Sequence, residues 1–232
     1  MNVTYIGHSG FAVELPSVIL MFDYYKGKIP QFDNDKPIYV FSSHFHEDHF
    51  SFAIFELLKK YDNIKYILSN DIKRKYCKNY FIKKGIYEKI YNNIVFISAN
   101  SAWKDDKIKV ETLHSTDEGV AFIIEADGKT IYHAGDLNWW VWQGESSEYN
   151  NNMTANYKKE ISKIENRHFD IAFVPLDPRQ EGWFYKGFDY FMSHTDTDAV
   201  YPMHFWGDNS VINKIKAMDC SEKYRDRIMY VE

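Results

Sequence analysis

The sequence predicts a layered α/β sandwich, on three observations. Apolar segments of strand length fall into two groups, one in each half of the chain. Segments of helical spacing lie between and after them. A composition of 45% hydrophobic and 18% aromatic residues supplies enough apolar surface for covered sheets and argues against disorder. The 232 residues contain no internal repeat, low-complexity tract or linker, so one domain spanning 1–232 is expected.

The first group of strands reads NVTYIG, GFAVEL and SVILMFD, punctuated by Gly10 and by Pro16-Ser17. KPIYVFSS follows as a nearly continuous apolar run, the pattern of a strand covered on both faces. FSFAIFELLKKY has helical spacing, IKYILS reads as a strand, and NDIKRKYCKNYF as a polar helix capped by Asn70 or Asp71. The second group comprises NIVFIS, KIKVETLHS, GVAFIIEADG and KTIYHAGD, with Asp127-Gly128 as a hairpin turn. MTANYKKEISKIE is helical and FDIAFVPLD a strand. DTDAVYPMHF leads from a helix end into a strand, DNSVINKIKAM is helical, and RDRIMYVE is read as a last strand.

The charge is −5, with no broad basic footprint for duplex nucleic acid, and the lysines of IKRKYCKNYFIKKG read as a solvated face. Two distant cysteines, Cys77 and Cys220, make neither a disulfide framework nor a thiolate zinc site. The start MNVTYIGHSG has no signal-peptide pattern and no run reaches the ~20 apolar residues of a membrane span, so a cytoplasmic protein without a membrane partner is expected.

The densest chemical signal is YVFSSHFHEDHFSF, where an apolar run ends in His44, His46, Glu47, Asp48 and His49. His44 and His46 lie two apart on an extended segment, and Asp48 and His49 follow as the chain bends. Histidine and carboxylate are ligands for zinc, iron and manganese, and packing gives no reason to crowd them together. Further ligands must come from distant strand ends. Asp23 ends SVILMFD, His114 ends KIKVETLHS, Asp136 follows KTIYHAGD's strand in a small-residue turn, and His204 ends VYPMHF.

Through His-x-His-x-Asp-His at 44–49, then His114, Asp136 and His204 in that order, the sequence resembles the metallo-β-lactamase-fold hydrolases. It looks closest to the bacterial branch that includes ascorbate-6-phosphate lactonase, which often begins with a GHSGF…ILMFD-like stretch, as at Gly7–Phe11 and Ile19–Asp23. The resemblance implies an αββα four-layer sandwich. It implies one divalent metal ion on His44, His46 and His114, a second on Asp48, His49 and His204, and Asp136 as the bridge. Asp23 becomes an outer carboxylate that fixes a ligand, and His8 lines the site. Oxygen-reducing diiron members carry Glu where this chain has His46, which argues against a diiron oxidase.

Two such cations, zinc first and manganese or iron next, would share a bridging hydroxide for attack on a carbonyl or phosphorus. Asp48 could also orient that water. The expected activity is hydrolysis of a small ester, lactone or phosphodiester. Trp139, Trp140 and Trp142 either wall an apolar pocket or pin their loop, and Asp177 and Arg179 are candidate contacts for an anionic substrate. His133 reads as structural or as an outer partner, His194 as a helix cap and His168 as a surface residue. Two alternatives stand beside this reading: a nuclease or nucleotide phosphodiesterase of the same superfamily, and a non-catalytic metal or ligand sensor. Homo-oligomerisation is left open.

Overall fold

A computed structural model describes residues 1–231. The first six-stranded sheet is formed in order by β1 (Asn2–Gly7), β2 (Gly10–Glu14), β3 (Ile19–Phe22), β4 (Ile38–Ser42), β5 (Ile64–Ser69) and β6 (Val95–Ile97). The second carries β7 (Ala102–Lys104), β8 (Ile108–His114), β9 (Val120–Ala126), β10 (Lys129–His133), β11 (His168–Pro175) and β12 (Asp196–Met203), also in chain order. The outer half of each sheet is antiparallel and the rest parallel, from β3 to β6 and from β10 to β12.

The two sheets pack face to face through aromatic rings. Phe11 meets Phe173 at 4.3 Å between ring centroids, and Phe41 meets Phe122 at 5.2 Å. The outer face of the first sheet is covered by a 3-10 helix at Phe52–Lys59 and by α1 (Asn70–Lys75), α2 (Lys78–Lys83) and α3 (Glu88–Asn92). On the second sheet lie α4 (Ser147–Ser162), α5 (Lys186–His194) and α6 (Ser210–Ala217). This is the αββα sandwich the sequence predicts. Covering both faces explains why β4 is buried at all five positions and carries no alternating pattern. Among the described residues no helix is long and apolar enough to cross a membrane.

Several elements depart from the sequence reading. Phe52–Lys59 forms 3-10 rather than α-helix, entered through the Ser51 cap. The polar helix at 70–81 splits in two because Tyr76 turns extended and packs its ring against Phe50 and Phe52; its cap is Ser69, not Asn70 or Asp71. α4 begins at Ser147, ahead of Met153, because the Ser146 side chain accepts from the Tyr149 amide. RDRIMYVE is not a strand: Arg225–Arg227 form a 3-10 turn, and a single bridge joins Ile228 to Val200. The Lys216 ammonium takes the Arg225 and Ile228 carbonyls that a ladder would need. The last residue of that stretch, Glu232, lies outside the described residues. β7 and α3 have no counterpart in the sequence reading, and the helix end read at DTDAVYPMHF comes earlier, at His194 in α5, with Asp196–Met203 all strand.

Parallel pairing decides where the chemistry sits. The carboxyl ends of β3, β4, β10, β11 and β12 fall at one edge of the sandwich, and the segments that leave them carry Asp23, His44–His49, Asp136, Asp177 and His204. Across the sandwich, the Val120 amide donates to the Ser43 carbonyl and His133 Nε2 contacts the Ser9 carbonyl at 2.9 Å, tying the two sheets beneath this edge. Phe173 is fully buried at the centre of the interface, against Phe11, Phe22 and Tyr201. Phe173→Ala should therefore cost about 3–5 kcal/mol of unfolding free energy, read from urea denaturation followed by far-ultraviolet circular dichroism.

Candidate metal centre

Each ligand-type residue at the edge is placed by a turn with little freedom. Asp23 is fully buried with φ 40°, and its carboxylate accepts from the Ser43 amide (2.7 Å) and hydroxyl (2.6 Å) while facing His49 Nδ1 at 2.7 Å. One carboxylate thus fixes the start of the His44–His49 loop and the ring of its last histidine. On the other sheet, Asp177 is fully buried and faces His204 Nδ1 at 3.0 Å. The His204 amide donates to the His8 carbonyl, and both residues have positive φ, 62° and 55°. Gly135, with φ 52°, lets the Asp136 turn approach Ser43; a Cβ there would lie 2.6 Å from the Ser43 side chain.

The result is a convergence of imidazoles on carboxylates. Asp136 Oδ1 lies 3.1 Å from His49 Nε2 and 3.4 Å from His204 Nε2, and its Oδ2 lies 3.4 Å from His44 Nε2. Asp48 Oδ2 lies 3.1 Å from His8 Nε2, 3.7 Å from His49 Nε2 and 3.8 Å from His204 Nε2. Two groups emerge whose ligand atoms all lie within 4.8 Å of one another: His8, Asp48, His49 and His204, and His44, His46 and Asp136. Two ligands at ~2.0–2.1 Å from a shared tetrahedral ion stand about 3.3 Å apart, close to the spacings around Asp136.

Hydrogen bonding does not account for this packing. The Nε2 atoms of His8, His44, His49 and His204 and Oδ1 of Asp136 are buried and make no well-aligned hydrogen bond among the described residues, although His8 and His49 stand 3.1 Å from the Asp48 and Asp136 carboxylates. Buried polar atoms left unpaired cost roughly 1–3 kcal/mol each. Five of them aimed into one space fit a cationic group, and the donor set of imidazole and carboxylate suits zinc, iron or manganese.

A model of the beta-lactamase superfamily domain matches residues 2–145. The chain belongs to the beta-lactamase superfamily. Over 230 residues it is 28% identical to a UPF0173 metal-dependent hydrolase of Exiguobacterium sp., an alignment that covers 88% of this chain and 86% of that protein. It is 30% identical over 152 residues to one of Desulforamulus reducens, covering 59% of this chain and 62% of that one. Among solved structures it shares its fold with Igni18, a metallo hydrolase of the archaeon Ignicoccus hospitalis, at TM-score 0.62 and 19% identity over 99% of this chain and 94% of that one.

Not every residue expected at this superfamily member's site is there. His114 is exposed and belongs to neither ligand group; it lines an adjoining polar groove with Asn100, Lys159, Glu160 and Lys163. Asp177 does not face substrate space, because it is enclosed between His204 and the Arg179 guanidinium. Trp139 is turned away: its indole donates to Thr154 Oγ1 and its ring packs with Tyr157 and Tyr190, pinning α4. Trp140 and Trp142 do reach the site. They stack on each other at 5.9 Å, and the Trp140 indole donates to the Asp136 carbonyl.

With Thr116, Asp117, Tyr149, Met153, Arg179 and His204, these two tryptophans line a cavity of about 150 Å³ that opens onto Asp136. The Arg179 guanidinium lies 5.9 Å from the Trp142 ring and 4.6 Å from that of Trp206, which in turn packs against His8. Of the remaining histidines, His133 is buried against Phe22 beneath the site, with Nδ1 accepting from the Gly135 amide. His194 contacts the Tyr190 carbonyl on its own helix, and His168 lies exposed beside Asp196.

The sequence reading missed Asp117, Tyr149, Met153 and Trp206. Asp117 was signalled by the short turn S-T-D-E-G directly after His114; the others lie on segments whose approach to the site depends on the fold.

Burial and then the neighbouring charge of His49 push the His44 imidazole down to about 3, which keeps it neutral and able to donate a lone pair. Burial would raise the Asp136 carboxyl, but His49, His204 and His44 around it hold it well below the usual carboxylate range. For Asp48, likewise, burial is outweighed by His8 and by the charge of His49, so its carboxylate stays ionised. Asp23→Asn would keep the volume but lose the charge that orients His49. Isothermal titration of the metal-stripped protein should show zinc affinity reduced about 10–100-fold, with the thermal melt showing a folded protein.

Proposed function

We propose that this metal-dependent hydrolase carries two divalent cations. His44, His46 and Asp136 would hold one, and Asp48, His49 and His204, with His8 beside them, the other. Asp136 would serve both, since its Oδ1 faces His49 and His204 and its Oδ2 faces His44. The single observation that carries this reading is the set of five buried nitrogen and oxygen atoms, without well-aligned hydrogen bonds, converging at the edge of the sandwich. The relatives named as metal-dependent hydrolases support it.

When bound, such cations supply Lewis acidity, activating water and drawing charge from a carbonyl or phosphoryl oxygen. The chain's own residues do the positioning. Asp23 and Asp177 accept hydrogen bonds from Nδ1–H of His49 and His204, which turns each Nε2 inward. Ser43 Oγ contacts His44 Nδ1 at 3.0 Å and donates to Asp23, so three of the histidines are held by two buried carboxylates. The indole bond from Trp140 to the Asp136 carbonyl fixes the shared ligand's backbone.

Trp140 and Trp142 give the cavity an apolar wall, and Arg179 stands at its rim half-exposed, its Nε–Nη2 edge held by Asp177 and its charge left to attract a carboxylate or phosphate. The substrate class this fits is a small ester, lactone or phosphodiester that carries an anionic group. The resemblance of GHSGF…ILMFD to the ascorbate-6-phosphate lactonase branch makes phosphorylated lactones the first compounds to screen.

Protein purified without chelator should contain about two equivalents of zinc, manganese or iron by inductively coupled plasma mass spectrometry; a protein that holds none and binds none when metal is added would remove this reading. His46→Ala should abolish turnover of any lactone or phosphodiester the wild type hydrolyses and leave the far-ultraviolet circular dichroism unchanged. Arg179→Ala should raise KM for anionic substrates about tenfold and leave neutral esters nearly unaffected, as measured by steady-state kinetics on a matched substrate pair.

A further inference from the structure

On the two-cation reading, the group of His44, His46 and Asp136 is one protein ligand short of the usual four, or complete only with water in an open position. His114 was expected there. The structure instead holds it in the last ladder pair of β8, opposite Val120, with its amide donating to Glu160 Oε2 and its exposed ring in the neighbouring groove. Asp117, like His114, lies outside the two tightest groups, but its Oδ2 stands 3.8 Å from His46 Nδ1 and it lines the cavity that opens onto Asp136.

We infer that Asp117, not His114, completes the first metal position, making it a site of two imidazoles and two carboxylates. The loop that carries Asp117 is built between the two ligand-bearing turns. At one end Gly119, with φ 70°, presses against Ser43 and His44, where an added Cβ would lie 1.9 Å from the Ser43 carbonyl oxygen. At the other, Thr116 Oγ1 donates to the Asn138 carbonyl (2.6 Å) and accepts from the Asn138 amide (3.0 Å), which locks it to the Asp136 turn. Ser115 is buried, and its hydroxyl accepts from the Asp117 amide, setting the crest of the loop. Asp117 is therefore anchored on both sides to residues that neighbour His44 and Asp136, while its half-exposed carboxylate keeps the rotamer freedom to close on an ion.

The chemistry of the two positions then differs. The second has three imidazoles near it, His8, His49 and His204, and suits zinc. The first, with Asp117 and Asp136, has more oxygen character and accepts manganese or ferrous iron more readily. The two positions should fill unequally, and the first should be the easier to strip.

The test is isothermal titration of the metal-stripped full chain with zinc and with manganese, with circular dichroism melts to show each variant folded. The wild type should take up two equivalents of zinc. Asp117→Asn should keep one and bind the other at least tenfold more weakly. Asp117→His, which returns an imidazole to the same loop position, should restore two. His114→Ala should titrate like the wild type. If His114→Ala loses an equivalent, or if Asp117→Asn retains both at wild-type affinity, this assignment is wrong. A wild type that binds fewer than two equivalents removes the two-cation reading itself, a result distinct from either of those.

Discussion

Asp136 is placed where three ring nitrogens, of His44, His49 and His204, face its two buried oxygens, and the rest of the edge exists to make that tolerable. Bringing unpaired polar atoms into a buried space is unfavourable unless something neutralises them. The protein prepares the space before any ion arrives: two fully buried carboxylates, Asp23 and Asp177, hold the outward nitrogens of His49 and His204. Positive backbone φ angles at His8, Asp23 and His204 show that local conformation has been given up to the same end.

The sandwich supplies the rigidity this demands. Parallel pairing of β3 with β4 and of β10 with β11 and β12 brings five strand ends to one edge. The aromatic layer of Phe11, Phe22, Phe41, Phe122 and Phe173 fixes the distance between the sheets that carry them. A shift of one sheet against the other would separate His44 from Asp136 directly, since each lies on a different sheet. The Val120–Ser43 and His133–Ser9 contacts oppose that shift immediately below the site. The cavity mouth is held less tightly: Arg179 and Trp206 sit at the rim, the first half-exposed with its guanidinium tied to Asp177, the second about half-exposed. The centre is therefore stiff and the mouth adaptable, an arrangement in which one kind of hydrolytic centre can serve different small substrates.

The errors of the sequence reading have physical causes. Trp139, Trp140 and Trp142 looked equivalent in one loop, yet the turn after Asp136 sends the first towards α4 and the other two to the cavity. Asp177 reads with Arg179 as a contact for an anionic substrate; the parallel alignment of β11 with β12 instead buries it against His204. His114 has a ligand's residue type at a strand end, but its ring is exposed in the adjoining groove, while Asp117, three residues later, stands 3.8 Å from His46 Nδ1. A strand end fixes neither the path of the loop beyond it nor which of its side chains turns inward.

From the sequence alone came the two groups of strands, the fold class, and a His/Asp cluster that only a cation explains, because periodicity and residue chemistry are local and survive in one dimension. The expectations that Asp23 fixes a histidine and that His8 lines the site came from the resemblance rather than from local pattern, and the structure sets Asp23 2.7 Å from His49 and His8 3.1 Å from Asp48. The tertiary structure decided which distant side chains meet: His8 with Asp48, His204 with Asp177, Asp117 with His46, and Trp142 with Arg179. Those pairings join residues on different loops, and their distances are set by sheet packing and by turns such as those at Gly119 and Gly135, which no local pattern encodes.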